Sequence, residues 1–121
     1  MAVGMLLPGC ASAPPRAEEA KDQKKYGAYM ARQGFWREAL FRFERAAAAA
    51  PDDAQIQNNL AVACEAVGET ARALAAYKRA LELAPEDARI KRNYARFAEY
   101  YTALQRTGPA PAASPAPPPA P

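Results

Sequence analysis

The side chains that catalysis most often needs are scarce in this sequence of 121 residues, which contains no histidine and only two cysteines. No nucleophile stands at a recognisable spacing from a base, and the chain has no glycine-rich loop of the phosphate-binding type. The carboxylates are spread at salt-bridge spacings, as Glu38 is from Arg42, and do not cluster as metal ligands would. We therefore expect no enzymatic activity, no metal and no cofactor, and look for a function in binding.

Cys10 follows a short apolar run at residues 2–7, and the segment LPGCAS at residues 7–12 resembles the bacterial lipobox, whose cysteine is lipid-modified. Pro8 is unusual in that motif, and no positive charge precedes the run. The run is far shorter than the roughly 20 apolar residues of a membrane span. We interpret residues 1–19 as a leader and linker with a lipid anchor on Cys10; the alternative is an N-terminal segment with an incidental cysteine.

The residue after the cysteine, Ala11, resembles the enterobacterial pattern for delivery to the outer membrane. The expected location is therefore the periplasmic side of the outer membrane in a bacterial cell envelope. If the leader is not functional, the expected location is the cytoplasm.

The centre of the chain is built from a unit of 34 residues that occurs twice, at residues 20–53 and 54–87. The positions that recur at this interval carry a turn glycine, a small residue, an aromatic residue and a proline: Gly34 and Gly68, Ala39 and Ala73, Phe43 and Tyr77, Pro51 and Pro85. Self-similarity at such a period is typical of helical hairpins stacked on their own copies.

The spacing of apolar residues predicts helices near residues 20–33, 36–49, 54–67, 70–83 and 87–106. Leu74, Tyr77 and Leu81, for example, stand three and four residues apart and therefore share one helical face. Acidic residues follow both prolines, where they can cap the next helix. The predicted fold class is all-α, a short α-solenoid of two hairpins and a C-terminal capping helix at residues 88–106.

The unit resembles the tetratricopeptide repeat. The resemblance rests on these residues of the two units: Tyr26, Gly27, Met30, Gly34, Trp36, Ala39, Phe43, Ala46 and Pro51; Leu60, Ala61, Cys64, Gly68, Ala73, Tyr77, Ala80 and Pro85. Gln23 and Gln57 depart from the family's tryptophan, and Thr70 stands where an aromatic residue is usual. The resemblance implies a domain at residues 20–106 that binds a protein partner.

In this family the first helix of each unit lines a concave groove, and the resemblance assigns peptide-binding positions to that face. The residues of the predicted peptide-binding site are Lys21, Lys24, Arg32, Asn58, Asn59, Arg89, Arg92, Arg96 and Tyr100. The set is basic and rich in amides, which suits an acidic or carboxylate-ended peptide. A subset of the family, the carboxylate-clamp co-chaperones, matches here at Lys24, Asn59 and Arg89, whereas Ala28 and Asn93 depart from it.

The leading hypothesis is a lipid-anchored protein-interaction scaffold of a bacterial envelope, pilus or secretion assembly. The alternative is a soluble, cytosolic co-chaperone-like adaptor. Nucleic acid is not an expected partner, because the formal net charge of +3 is modest. Self-association is a further expectation, since two repeats are fewer than an independent array usually has.

The chain ends in an uncharged segment of mostly proline, alanine and serine, residues 107–121. A segment of this composition cannot bury a core, so we expect it to be disordered and extended.

Overall fold

The computed structural model describes residues 16–108. The described chain is all-α and consists of five helices: α1 (Arg16–Arg32), α2 (Trp36–Ala49), α3 (Ala54–Ala66), α4 (Thr70–Leu83) and α5 (Ala88–Thr107). Helices α1 and α2 pack as one hairpin, α3 and α4 as the next, and α5 lies against the second hairpin. The predicted fold class, a short solenoid of two hairpins and a capping helix, is confirmed.

Local sequence determines where the helices stop and restart. Gly34 and Gly68 have φ angles of +82° and +84°, which are unfavourable for residues that carry a side chain. Asp53 accepts hydrogen bonds from the first-turn amides of α3, and Asp87 does the same at the start of α5. These caps satisfy backbone donors that a helix start leaves without partners. The predicted turn glycines and acidic caps are therefore confirmed.

The first helix differs from the prediction at its start. It begins at Arg16, so residues 16–19, which were expected to belong to the leader, form its first turn. Glu18 and Glu19 lie there, where the helix dipole favours acidic side chains. Glu19 also forms an ion pair with Arg45 of α2 at 3.1 Å. The predicted lipid-anchor residue Cys10 and the Pro/Ala-rich segment from residue 109 onward lie outside the described residues.

The core is built from large side chains of α2, α3, α4 and α5. Phe43, Tyr77 and Phe97 are fully buried, as are Ile56 and Ile90. Small residues at the recurring alanine positions are buried beside them and allow the helix backbones to approach closely. The aromatic positions of both units therefore serve helix packing, as the sequence predicted.

Gly27 provides a test of this close packing. A Cβ atom on Gly27 would lie 2.7 Å from Cε1 of the buried Phe43 ring. We expect Gly27→Ala to lower the free energy of unfolding by up to about 2 kcal/mol. Overpacking costs about 1–3 kcal/mol, and the higher helix propensity of alanine offsets about 1 kcal/mol of that cost. Chemical denaturation of the variant measures this difference.

The matched control for Gly27→Ala is the same substitution made together with Phe43→Leu. The smaller side chain removes the clash, so adding Gly27→Ala to the Phe43→Leu variant should cost less than it does in the natural chain. Equal costs in the two backgrounds would show that the Phe43 ring is not what excludes a side chain at this position.

Candidate peptide-binding groove

Helices α1, α3 and α5 lie side by side, and we call their shared surface the groove face. Polar contacts join each of these helices to the next along this face. Lys24 of α1 reaches Asp53 at the start of α3, and Asn93 of α5 reaches Asn58 of α3. The structure therefore brings the three segments that carry the predicted site residues next to one another.

Lys24 is engaged within the protein. Its Nζ lies 3.1 Å from Oδ2 of Asp53, while Oδ1 of Asp53 accepts hydrogen bonds from the amides of Gln55 and Ile56. Partial burial alone would raise the pKa of Asp53, but the Ile56 amide and the Lys24 ammonium group hold that pKa below its ordinary value. Lys24 thus stabilises the start of α3 as well as contributing charge to the groove face.

Arg89, at the N-terminal end of α5, also bonds other side chains of the protein. Its Nη2 donates to Oε1 of Gln55 at 2.6 Å, and Nε2 of Gln55 donates to Oδ2 of Asp87 at 2.7 Å. Asp87 also caps α5, and the hydrogen bond from the Ile90 amide leads the contacts that lower the pKa of this carboxyl group. This cluster fixes the orientation of the Arg89 guanidinium group.

Asn58 and Asn59 lie inside the fold. Asn58 is 0% exposed and Asn59 is 4% exposed. The Nδ2 of Asn93 donates to Oδ1 of Asn58 at 3.0 Å, and Nδ2 of Asn58 donates to Oδ1 of Asn59 at 3.4 Å. The expectation that these two amides lie open in the groove for a peptide backbone is wrong, because α3 is the middle helix and its neighbours cover it on both sides.

Arg96 belongs to a network that links three helices. Its Nη2 lies 3.2 Å from Oε2 of Glu65 on α3, and the same oxygen accepts a hydrogen bond from the Tyr77 hydroxyl of α4 at 2.8 Å. The side chain of Glu65 is 12% exposed, so its charge needs these partners. Arg96 therefore neutralises a nearly buried carboxylate, although part of its own side chain remains accessible.

The remaining predicted residues are open to solvent. Lys21, Arg32 and Arg92 are exposed, and none of them forms an ion pair with any of residues 16–108. Tyr100 is half-buried on α5. Two positive charges on α1 and one on α5 thus flank a middle helix whose buried amides carry no charge.

Burial raises the pKa of the Cys64 thiol to about 11, so this free cysteine is protonated at neutral pH and is a poor nucleophile. Within residues 16–108 no group of three potential metal ligands comes together. No helix in the same range is long and apolar enough to cross a membrane.

Comparison with known proteins finds a similarity in the second unit. Residues 54–87 match the family model of the tetratricopeptide repeat. This repeat coincides with the second predicted unit and contains α3, α4 and the turn that follows them. No curated protein matches the chain. The packing of α1 and α2 against this tetratricopeptide repeat extends it into a short solenoid.

Proposed function

We propose that this protein is a scaffold whose groove face binds an acidic or carboxylate-bearing peptide of a protein partner. Tetratricopeptide repeats are protein-interaction modules, and the repeat at residues 54–87 supports that general role. The specific proposal depends on three exposed cations that form no ion pair within residues 16–108, Lys21, Arg32 and Arg92. Charges held on separate helices favour an extended anionic ligand that spans them.

The predicted site then divides into residues that contact the ligand and residues that support the surface. Lys21, Arg32, Arg92 and Tyr100 would contact the peptide. Lys24, Arg89 and Arg96 would act mainly by holding α1, α3 and α5 together and by adding to the positive potential. Asn58 and Asn59 would fix the packing of α3 against α5 through Asn93.

The test is a titration of the full chain, carrying Cys10→Ser so that it stays soluble, with a labelled peptide of alternating glutamate and serine. We expect the acidic peptide to bind and a matched peptide with glutamine in place of glutamate not to bind. Binding should weaken steeply with salt, because exposed charges are screened over about 8 Å at physiological ionic strength. Equal binding of both peptides would contradict the proposed recognition of charge.

The proposed setting is a bacterial cell envelope, with the protein anchored by a lipid on Cys10 at the periplasmic side of the outer membrane. The support is the lipobox-like segment at residues 7–12. We expect Cys10→Ser to move the protein from the membrane fraction to the soluble fraction of fractionated cells. Cys64→Ser is the control and should leave the protein in the membrane fraction, because Cys64 is buried in the fold. Equal soluble fractions for the natural chain and Cys10→Ser would rule out the anchor.

The alternative, a cytosolic co-chaperone-like adaptor, would need the clamp residues Lys24, Asn59 and Arg89 to be free for a terminal carboxylate. Lys24 and Arg89 contact other side chains of the fold and Asn59 is buried, which favours the scaffold. A peptide ending in a free carboxylate and the same peptide ending in an amide separate the two functions. Dependence of binding on the free carboxylate would favour the adaptor.

A further inference from the structure

The first hairpin carries an exposed aromatic surface that the groove face does not use. Among the described residues, the large apolar side chains that are exposed are Tyr26, Tyr29, Phe35 and Phe41, at 43%, 49%, 61% and 46% respectively. All four belong to α1, α2 or the turn between them. We call this set the aromatic edge.

Three of the four rings of the aromatic edge contact another side chain, namely Tyr26, Tyr29 and Phe41. Tyr26 and Tyr29 are stacked with ring centroids 6.2 Å apart. The guanidinium group of Arg42 lies 4.7 Å from the centroid of Tyr26 and 5.4 Å from that of Phe41. Cation–π contacts of this kind contribute about 0.5–1 kcal/mol at exposed sites. Tyr26, Tyr29 and Phe41 therefore form one connected surface.

The aromatic edge is open because of its position in the solenoid. Leu60, which occupies the place of Tyr26 in the second unit, packs against the core because the first hairpin lies beside it. In the described range no hairpin precedes α1, so the equivalent face is uncovered. Contiguous exposed apolar surface of this kind commonly marks a docking site.

The chemistry of the aromatic edge suits a proline-rich segment. A hollow of about 260 Å³ is lined by Tyr26, Tyr29, Arg32, Lys25 and Asp22. Proline rings pack on flat aromatic faces, and a polyproline II segment presents free carbonyl oxygens. The tyrosine hydroxyls and the two cationic side chains around the hollow can donate hydrogen bonds to those oxygens.

We propose that the aromatic edge binds the chain's own Pro/Ala-rich segment at residues 109–121. The described chain ends at Gly108, which lines a hollow together with Thr70 at the start of α4. The hairpins are antiparallel and stacked, so this point and the α1–α2 turn containing Phe35 lie on the same side of the stack, although at different places along it. The segment can therefore run along that side toward the aromatic edge.

The distance to the aromatic edge is within the reach of the segment. Neighbouring helices lie about 10 Å apart, so two helix spacings separate α5 from the first hairpin by about 20 Å. Tyr26 lies six residues before the end of α1, which adds about 9 Å along the helix. Thirteen residues in polyproline II form span about 40 Å.

Charge favours this occupant over a second folded copy. Lys25 and Arg32 beside the hollow form no ion pair within residues 16–108, and α5 at the other end of the solenoid is also basic. Stacking the first hairpin of one copy on α5 of another would bring these cations together. Residues 109–121 carry no charge and avoid that repulsion. Arg32 also belongs to the proposed peptide-binding site, so the two proposals share this one residue and otherwise rest on different residues.

The test places a spin label at the end of the segment. The full chain carries Cys10→Ser and Ala120→Cys, and a thiol-reactive nitroxide is attached to the new cysteine at position 120. The reagent modifies this position selectively, because Cys64 is buried. We expect the label to reduce the NMR signal intensities of Tyr29, Phe35 and the Trp36 indole, and to leave Lys78 on α4 unaffected. The exposed pair Tyr29→Ser and Phe35→Ser should abolish the loss of intensity at the Trp36 indole.

Tyr100→Ser is the matched control, since it removes an aromatic ring from the groove face instead. It should leave the loss of intensity unchanged, and a loss that depends on Tyr100 would overturn the proposal in favour of docking in the groove. Docking between copies is tested in a mixture of two chains. One is isotope-labelled and has no spin label, and the other carries the spin label and is not isotope-labelled, so a loss of intensity in the mixture arises only between copies. A loss of intensity in that mixture equal to the loss within one chain would overturn the proposal, as would no loss at the aromatic edge in any sample.

Discussion

Tyr77→Ala is expected to lower the free energy of unfolding by about 3–5 kcal/mol, the usual cost of truncating a buried aromatic side chain. The Tyr77 side chain is fully buried. Its ring centroid lies 5.2 Å from that of Phe97 and 6.2 Å from that of Tyr94, both on α5. A chain of this size has a total stability of the order of 5–15 kcal/mol, so the substitution removes a large fraction of it. Chemical denaturation followed by circular dichroism measures the effect.

The hydroxyl group of Tyr77 adds a second, separable contribution. It donates to Glu65 at 2.8 Å, and burial followed by the charge of Glu65 raises the pKa of Tyr77 well above its ordinary range. The hydroxyl therefore stays protonated and keeps donating. Tyr77→Phe keeps the ring and loses this bond, so we expect a smaller loss of about 1.5–3 kcal/mol, as for other hydrogen bonds to charged groups.

The control for both Tyr77 variants is Tyr29→Ala, which removes a ring of the same size from an exposed position on α1. A surface substitution of this kind usually changes stability by no more than about 0.5 kcal/mol. If Tyr77→Ala lowered the free energy of unfolding no more than Tyr29→Ala does, the Tyr77 ring would not hold α4 against α5.

Much of the fold could be predicted from the sequence because its determinants are local and repeated. Gly34 and Gly68 fix turns that need a positive φ angle, and Asp53 and Asp87 supply caps within three residues of the amides they bind. Such residues recur at a fixed interval in the sequence. The aromatic position of Tyr77 could be predicted in the same way, because a helical face has a regular period.

The burial and the bonding partners of the site residues could not be predicted in the same way, because they depend on contacts between segments that are distant in the sequence. Asn58 and Asn59 are polar, and the sequence alone favoured an exposed position for them. Their burial follows from the place of α3 between α1 and α5, and the one signal in the sequence was the apolar residues around them at Ile56 and Val62. Lys24 and Arg89 were likewise expected to be free, although each bonds a side chain of the neighbouring helix.

The exposure of the aromatic edge was also missed, for a related reason. The family resemblance placed Tyr26 at the same repeat position as Leu60, which packs against the core. Whether such a position is covered depends on whether another hairpin packs in front of it. The sequence of a single repeat does not contain that information. The start of α1 at Arg16 was missed because the repeat begins only at residue 20.

The second large effect is expected from reversing the charge of the groove face. Lys21→Glu with Arg92→Glu should weaken binding of the acidic peptide at least about tenfold, or about 1.4 kcal/mol. Each exposed ion pair contributes up to about 1 kcal/mol, and each reversal also adds repulsion. Neither residue forms an ion pair within residues 16–108, so the helical content should not change. Lys24 is less suitable, because its reversal would place two carboxylates together at the Asp53 cap.

A charge-matched variant controls for the loss of net positive charge. Arg37→Glu with Lys78→Glu makes the same change on α2 and α4, where both residues are exposed and without an ion pair in the described range. Long-range attraction falls equally in the two variants, since their net charges are identical. A difference between them therefore reports contact with the groove face.

The most direct test of the central claim is the titration of these two variants, side by side with the Cys10→Ser chain, with the same acidic peptide at physiological salt. We expect the affinity of the groove variant to fall at least about tenfold and that of the α2–α4 variant to stay close to the affinity of the Cys10→Ser chain. Equal affinities for both variants, or a larger loss for the α2–α4 variant, would contradict the assignment of the groove face as the peptide-binding surface.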